Sequence, residues 1–299
     1  MTAPVSDETG FDRVLGFTIP SRDARGRVVR LGPVLDQILA AHAYPAPIRH
    51  LLAKALVVTA LIGSLLKDQD GQLTMQAQAE GGIVDLLVCD YRDGELRGYV
   101  RHDEERLQGL GVSPSLEALF GKGYLAITFD LATTGQRYQG IVPLEGGSLS
   151  EACEHYFVQS EQVPTLIRVA VRSSGQGCVA GGLLVQHLPD GEEGRERLHV
   201  DLDHPEWAHV SALAGSTRHD ELVDPTLSLE ALVWRLFHEE AEVRVIKGRD
   251  LSRGCRCSLD HYRSIIARFP EEEQAAMRDE RGAIVIDCAF CSRLFEIVD

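Results

Sequence analysis

Four of the chain's seven cysteines stand in two tight pairs, Cys255-Arg256-Cys257 and Cys288-Ala289-Phe290-Cys291, with thirty residues between the pairs. Thiolates suit zinc, and two close pairs can complete one tetrahedral site on Cys255, Cys257, Cys288 and Cys291. The same four thiols can instead close as two short disulfides. Each outcome gives the C-terminal segment a different fold, and the spacing leaves both open.

Three further points bear on that choice. A four-cysteine site leaves no open coordination position, which disfavours zinc catalysis. Cys-X-Cys is tighter than the spacing usual in structural fingers, and a disulfide across it closes a small, strained and reducible ring. Arg253, Arg256 and Arg293 flank the pairs. Cationic neighbours lower thiol pKa, and they also balance the negative charge of a zinc tetrathiolate. A structural zinc contributes ~10–16 kcal/mol in finger-sized peptides, more than so small a module can replace by burial.

These pairs need elements to hold them. Ser258 to Phe269 has helical character, Ala283 to Asp287 reads as a strand leading into Cys288, and Leu294 to Val298 reads as a strand leaving Cys291. Upstream, residues 1 to about 23 are polar and without period, with a loose start. A strand is expected over 25–31, then helices around Val34–His42 and Pro47–Lys67, divided at Tyr44-Pro45. Strands follow over 73–79, 83–89, 96–101, 123–131, 138–142, 166–172 and 178–188, with a hairpin turn at Asp93-Gly94. Ser148-Leu-Ser-Glu151 reads as a capping box opening a helix with Leu149, Ala152, Cys153, Tyr156 and Phe157 on its apolar face.

Between Pro189 and Ala241 the composition shifts to thirteen acidic against four basic residues, with five of the eleven histidines: His199, His204, His209, His219 and His238. Here Leu229, Leu232, Val233, Leu236 and Phe237 form one face of an amphipathic helix, which must dock on something. The expected organisation is α+β: a core domain over 1–188, a charged, partly helical linker over 189–244, and a small four-cysteine zinc domain over 245–299.

The remaining candidates read as structural. Cys89, Cys153 and Cys178 are isolated and fit buried, inert positions. The linker histidines match no ligand spacing. His261 lies close enough to the first pair to compete for zinc, but four cysteines suffice. Gly121-Lys-Gly123 lacks the phosphate-loop pattern, and no nucleophile-elbow or zinc-protease motif occurs.

A net charge of −15 argues against a nucleic-acid partner. The start of the chain carries no signal-like segment, and the apolar stretch Leu51–Leu66 is short of a bilayer span and broken by Lys54. The expectation is a cytoplasmic protein that binds neither nucleic acid nor membrane, in a compartment that keeps thiols reduced.

Several longer motifs reach a known family. They include His42-Ala-Tyr-Pro45, Leu73-Thr-Met-Gln-Ala-Gln78 and Gly121-Lys-Gly-Tyr-Leu-Ala-Ile-Thr-Phe-Asp130. Tyr138-Gln-Gly-Ile-Val-Pro143, Tyr156-Phe-Val-Gln-Ser-Glu-Gln-Val-Pro-Thr165, Gly181-Gly-Leu-Leu-Val-Gln186, Trp234-Arg-Leu-Phe-His-Glu239 and the two cysteine pairs with their gap complete the set. Over nearly its whole length the chain resembles the thirty-three-kilodalton heat shock protein family of redox-regulated bacterial chaperones.

That resemblance implies a non-enzymatic holdase that protects unfolding client proteins without ATP. It implies zinc on the four cysteines in an inactive, reduced state. It implies oxidation to Cys255–Cys257 and Cys288–Cys291 with release of zinc, unfolding of the linker, and a homodimeric active form. The chain departs from the family pattern in a long acidic stretch, Asp190 to Asp203, and in Arg256, where a small polar residue is expected. The rival readings are a purely structural zinc domain on a binding module, and a thiol oxidoreductase using Cys288 and Cys291. The strand after Cys291 disfavours the second, because that class offers its pair on a strand-to-helix turn.

Overall fold

The computed structural model describes residues 10–67, 70–109, 114–174, 177–188 and 204–298. The start of the chain and the acidic stretch Asp190–Asp203 lie outside them.

Two sheets and one central helix organise the molecule. The first sheet has five antiparallel strands: β1 (Arg13–Ile19), β2 (Ala24–Leu31), β8 (Thr165–Ser174), β9 (Gly177–His187) and β10 (Arg244–Asp250), in the order β10-β1-β2-β9-β8. The second holds β3 (Gln72–Ala79), β4 (Val84–Arg92), β5 (Glu95–His102), β6 (Gly123–Asp130), β7 (Arg137–Pro143) and β11 (Ser252–Arg253), in the order β11-β5-β4-β3-β6-β7. Only the β11–β5 pairing is parallel within it. Asp93 and Gly94 both take left-handed φ, 51° and 88°, which suits the two-residue turn between β4 and β5.

Helices α1 (Pro33–Leu39), α2 (Ala46–Gly63), α3 (Glu104–Leu107), α4 (Leu116–Phe120) and α5 (Leu149–Tyr156) belong to the first 188 residues. By length and composition α2 could cross a membrane, yet 72% of its apolar window is buried between the sheets. Leu52, Leu56, Val57, Leu61 and Ile62 are fully enclosed there with Val29, Met75, Leu87 and Leu184. This is a core helix, apolar all round because it is covered all round. Ser148 caps α5 by accepting from the Glu151 N–H at 3.2 Å. The Glu151 carboxylate reaches back to the N–H of Gly147 at 2.8 Å, one residue earlier than a standard capping box.

The outer face of the first sheet is a second core. Helices α6 (Pro205–Gly215), α7 (His219–Leu222) and α8 (Leu229–Phe237) pack on it, with Val210, Ala214, Leu229, Leu232, Val233 and Phe237 buried against Leu15, Phe17, Ile19, Val28 and Leu183. The amphipathic face expected over 229–237 therefore docks on β1 and β2, while α6 and α7 cover β9. Gly181 on β9 permits the approach: a Cβ there would lie 2.0 Å from the Leu222 carbonyl oxygen.

Two expectations need correction. Residues 13–19 form β1 rather than aperiodic chain. The run Val-Leu-Gly-Phe-Thr-Ile is buried on both faces, so it lacks the alternation that marks a half-buried strand. Residues 244–250, expected at the junction of the linker and the C-terminal domain, form β10 and pair with β1 of the first sheet. Nearly every side chain of this edge strand is exposed, so no apolar pattern announced its place. The following residues cross to the second sheet, where β11 pairs with β5.

Past β11 the chain forms α9 (Leu259–Ile266), α10 (Glu271–Ala276) and the antiparallel hairpin β12 (Ile284–Asp287) and β13 (Leu294–Ile297). Neither α9 nor α10 has a fully buried residue. The hydrophobic centre of this part is Ala283, Ile284, Phe295 and Ile297, with the Tyr262 ring 5.0 Å from Phe295.

Candidate metal centre

Local structure sets the first cysteine pair. The Gly254 N–H bonds to the Leu96 carbonyl at 2.9 Å and ends the β11–β5 pairing immediately before Cys255. A Cβ on Gly254 would meet the Glu95 Cβ at 2.5 Å, so the close approach depends on glycine. Directly after Cys257, Ser258 caps α9 by accepting from the His261 N–H at 3.2 Å. The pair is thus held between an anchored strand and a capped helix.

The second pair sits at the tip of the β12–β13 hairpin. The Cys291 and Ser292 N–H groups donate to the Cys288 carbonyl at 3.2 and 2.8 Å, and the Cys288 N–H donates to the Arg293 carbonyl at 3.0 Å. Ser292 takes a left-handed φ of 55° to close the turn. This backbone wraps around Cys288, which is buried, while its three partners are half-buried.

Tertiary structure brings the four sulfurs together. Cys255 Sγ lies 3.3 Å from Cys257 Sγ and 3.7 Å from Cys288 Sγ, and Cys257 Sγ lies 3.5 Å from Cys291 Sγ. All four fall within 4.8 Å of one another. A tetrahedral ion with bonds near 2.3 Å sets its sulfur ligands about 3.8 Å apart. The donor set and its spacing therefore fit zinc, and all seven cysteines are free thiols. Proximity does not choose a disulfide pairing, because the distances between pairs match those within the first.

The four thiols are electrostatically unequal. Burial pushes Cys288 up, but hydrogen bonds from the Tyr262 hydroxyl and from the N–H groups of Phe290 and Cys291 outweigh it and bring the thiol to about 6. Burial raises Cys257 and Cys291. The flanking arginines act elsewhere: Arg256 points to Asp90 on β4, and the Arg293 guanidinium lies 4.9 Å from the Phe295 ring centre. Backbone N–H groups and a tyrosine thus do for Cys288 what the sequence assigned to cationic neighbours.

The other candidates fall where their isolation suggested. Cys89, Cys153 and Cys178 are buried and burial raises all three, so they are poor nucleophiles. His261 is outside the sulfur cluster and pairs with the Tyr262 ring. Among the described linker histidines, His209 bonds Glu240 at 2.7 Å, His204 lies against His187, and His238 lies against Trp234. Asp90 escaped the sequence reading: of the two carboxylates on β4 it is the buried one, 3% exposed and facing both Arg97 and Arg256, whereas Asp85 pairs with Arg101 at the surface. Its signal was a carboxylate set between Cys89 and Tyr91 at the end of an apolar run, where a buried acid demands a cation.

The chain is similar to known proteins over nearly its whole length. The profile described as "Hsp33 protein" matches residues 12–297. The 33 kDa chaperonin of Caulobacter vibrioides is 40% identical over 302 residues, spanning 98% of this chain and 97% of that protein. The 33 kDa chaperonin of Shigella boydii is 34% identical over 290 residues, spanning 96% and 93%. The crystal structure of the Thermotoga maritima 33 kDa chaperonin superposes with a TM-score of 0.76 at 21% identity, covering 96% of this chain and 94% of that one, which supports the fold. With the α+β architecture, the four-sulfur cluster and these relatives together, the chain belongs to the Hsp33 family of chaperones.

Proposed function

We propose that this protein is a redox-regulated, ATP-independent holdase, resting with zinc on Cys255, Cys257, Cys288 and Cys291 and activated by oxidation of those thiols. The observation that carries this reading is the convergence of four free sulfurs at tetrahedral spacing in a segment with almost no apolar core. A bound zinc ion would cross-link the two cysteine turns and supply the cohesion that burial does not.

The residues of the chain do the rest. Each pair can surrender two electrons and, counted from the thiols, two protons to one peroxide, forming one S–S bond and two water molecules. Following the family pattern, the bonds are Cys255–Cys257 and Cys288–Cys291. Disulfides offer no thiolates to a cation, so the C-terminal segment loses its cross-link and unfolds. The linker helices α6, α7 and α8 then leave the first sheet and uncover Phe17, Val28 and Leu183 on one side and Leu232, Val233 and Phe237 on the other. Exposed apolar surface of this kind binds the apolar segments of unfolding proteins. The cytoplasm, where thiols are normally reduced, is the compartment in which such a switch has meaning. The active form is a homodimer that binds clients without chemical turnover.

The test is suppression of thermal aggregation of a model client by the reduced, zinc-loaded chain and by the peroxide-treated chain, with zinc release followed by a chromogenic chelator. Protection after oxidation only supports the reading. Equal protection in both states, or zinc retained under oxidant, leaves a structural zinc domain.

A further inference from the structure

Each cysteine pair encloses one side chain that turns away from the sulfurs and meets the second sheet. From the first pair, Arg256 Nη2 reaches Asp90 Oδ2 at 3.4 Å. From the second, the Phe290 ring packs edge-on against Tyr99 at 4.9 Å and lies under the Arg97 guanidinium, whose carbon is 3.9 Å from the ring centre. The first anchor therefore ends on Asp90 of β4 and the second on Arg97 of β5, and Arg97 holds Asp90 through Nε at 2.7 Å and Nη2 at 2.6 Å.

The two arms on Asp90 differ. Arg97 makes two short charge-assisted contacts, and Thr74 adds a third hydrogen bond at 2.8 Å, so the buried carboxylate stays compensated by the sheet alone. Arg256 makes one long contact, and its Nη1 is buried without a hydrogen-bond partner. Withdrawing Arg256 returns that donor to water and strands nothing on the sheet. The contact is thus built to open from the cysteine side.

We infer that Arg97 is the positioning residue that docks the cysteine module on the second sheet, holding Phe290 against its guanidinium face and fixing Asp90, the carboxylate that receives Arg256. Arg256 lies between two cysteines of the first turn and Phe290 between two cysteines of the second, so each anchor reaches the Asp90–Arg97 pair only while its own turn keeps this geometry. A change in either pair removes one arm. The docking stands on the contacts themselves; its role in switching rests on the redox-regulated reading above.

The experiment uses the full chain, reduced and zinc-loaded, as wild type, Arg97→Ala and Phe290→Ala. Docking is read from amide exchange at Ser252 and Gly254, whose N–H groups bond Gly94 and Leu96 only while β11 lies on β5. Zinc content and client aggregation are measured on the same samples. Expected are one zinc per chain in all three and exchange at those amides about tenfold faster in both variants, the loss of one charged or cation–π arm. Wild-type exchange rates in Arg97→Ala, faster exchange in that variant alone, or loss of zinc in both variants would overturn the inference. Phe290 lies outside the sheet, so its variant guards against a misfolded sheet. Faster exchange in both variants with no client protection, even in oxidised wild type, supports the docking role and removes the redox reading instead.

Discussion

Arg30 on β2 donates from Nε to the carbonyl of Leu222 on α7, 2.9 Å away and 192 positions later in the chain. Its Nη1 and Nη2 reach the carbonyls of Leu227 and Glu221 at 2.7 and 3.2 Å. The side chain is fully buried, and burial pulls it down to about 10, which leaves it charged at neutral pH. One enclosed cation thus ties the connection between α7 and α8 to the centre of the first sheet. Replacing Arg30 with Met fills a similar volume but strands three carbonyls. We expect a loss of about 3 kcal/mol, read as a lower urea midpoint, with faster amide exchange across 219–237 in the reduced, zinc-loaded chain.

Phe237 is the apolar counterpart of that tie. It is fully buried, with its ring centre 5.4 Å from that of Phe17 on β1. Phe237→Ala leaves a cavity in the second core and costs about 3–5 kcal/mol. Because the cysteines are untouched, zinc content should stay at one per chain while reduced protein begins to protect a client. Protection still confined to the oxidised form would show that docking of α8 is not what restrains activity.

Acid should loosen the same docking. Arg22, between β1 and β2, pairs with Glu206 on α6 and, at 2.8 Å, with Glu240 after α8. The Arg22 hydrogen bond holds Glu206 below the usual carboxylate range. Burial pushes Glu240 up, but bonds from Arg22 and His209 outweigh it and hold it low as well. Carboxylates depressed by folding contribute stability above their unfolded pKa, about 4.3, and lose it as pH falls through the folded values. Trp207 on α6 stacks near His187 and can report the change once the exposed Trp234 is replaced by Phe. We expect its emission to shift below about pH 4.3, with a smaller step in an Arg22→Gln background.

Removing one ligand tests the metal centre directly. Cys288→Ser takes away the most enclosed sulfur and the thiol that hydrogen bonds bring to about 6. Zinc per chain should fall towards zero, and helix and strand signal from 255–298 should vanish from circular dichroism without loss of the core domain. Zinc binding undiminished in this variant would contradict a four-cysteine site.

The cysteine spacing, the capping box at Ser148, the Asp93-Gly94 turn and the amphipathic face over 229–237 were legible in the sequence because each is a local signal. Cysteine pairs announce a candidate metal site by type and spacing, and a face repeats every few residues. Strands β1 and β10 were not legible. One is covered on both sides and the other on neither, so neither shows the alternation of a half-buried strand.

The sequence by itself determined the four-cysteine candidate set, the acidic and apolar character of residues 189–244, and the family. Only the tertiary structure decided what the linker covers and where the cysteine module rests. Those are matters of long-range pairing: Arg30 with Leu222, Phe17 with Phe237, and Asp90 with Arg256. No periodicity encodes which distant carbonyl a buried arginine will find. Burial makes its unpaired charge costly, so the fold is selected to place a partner there.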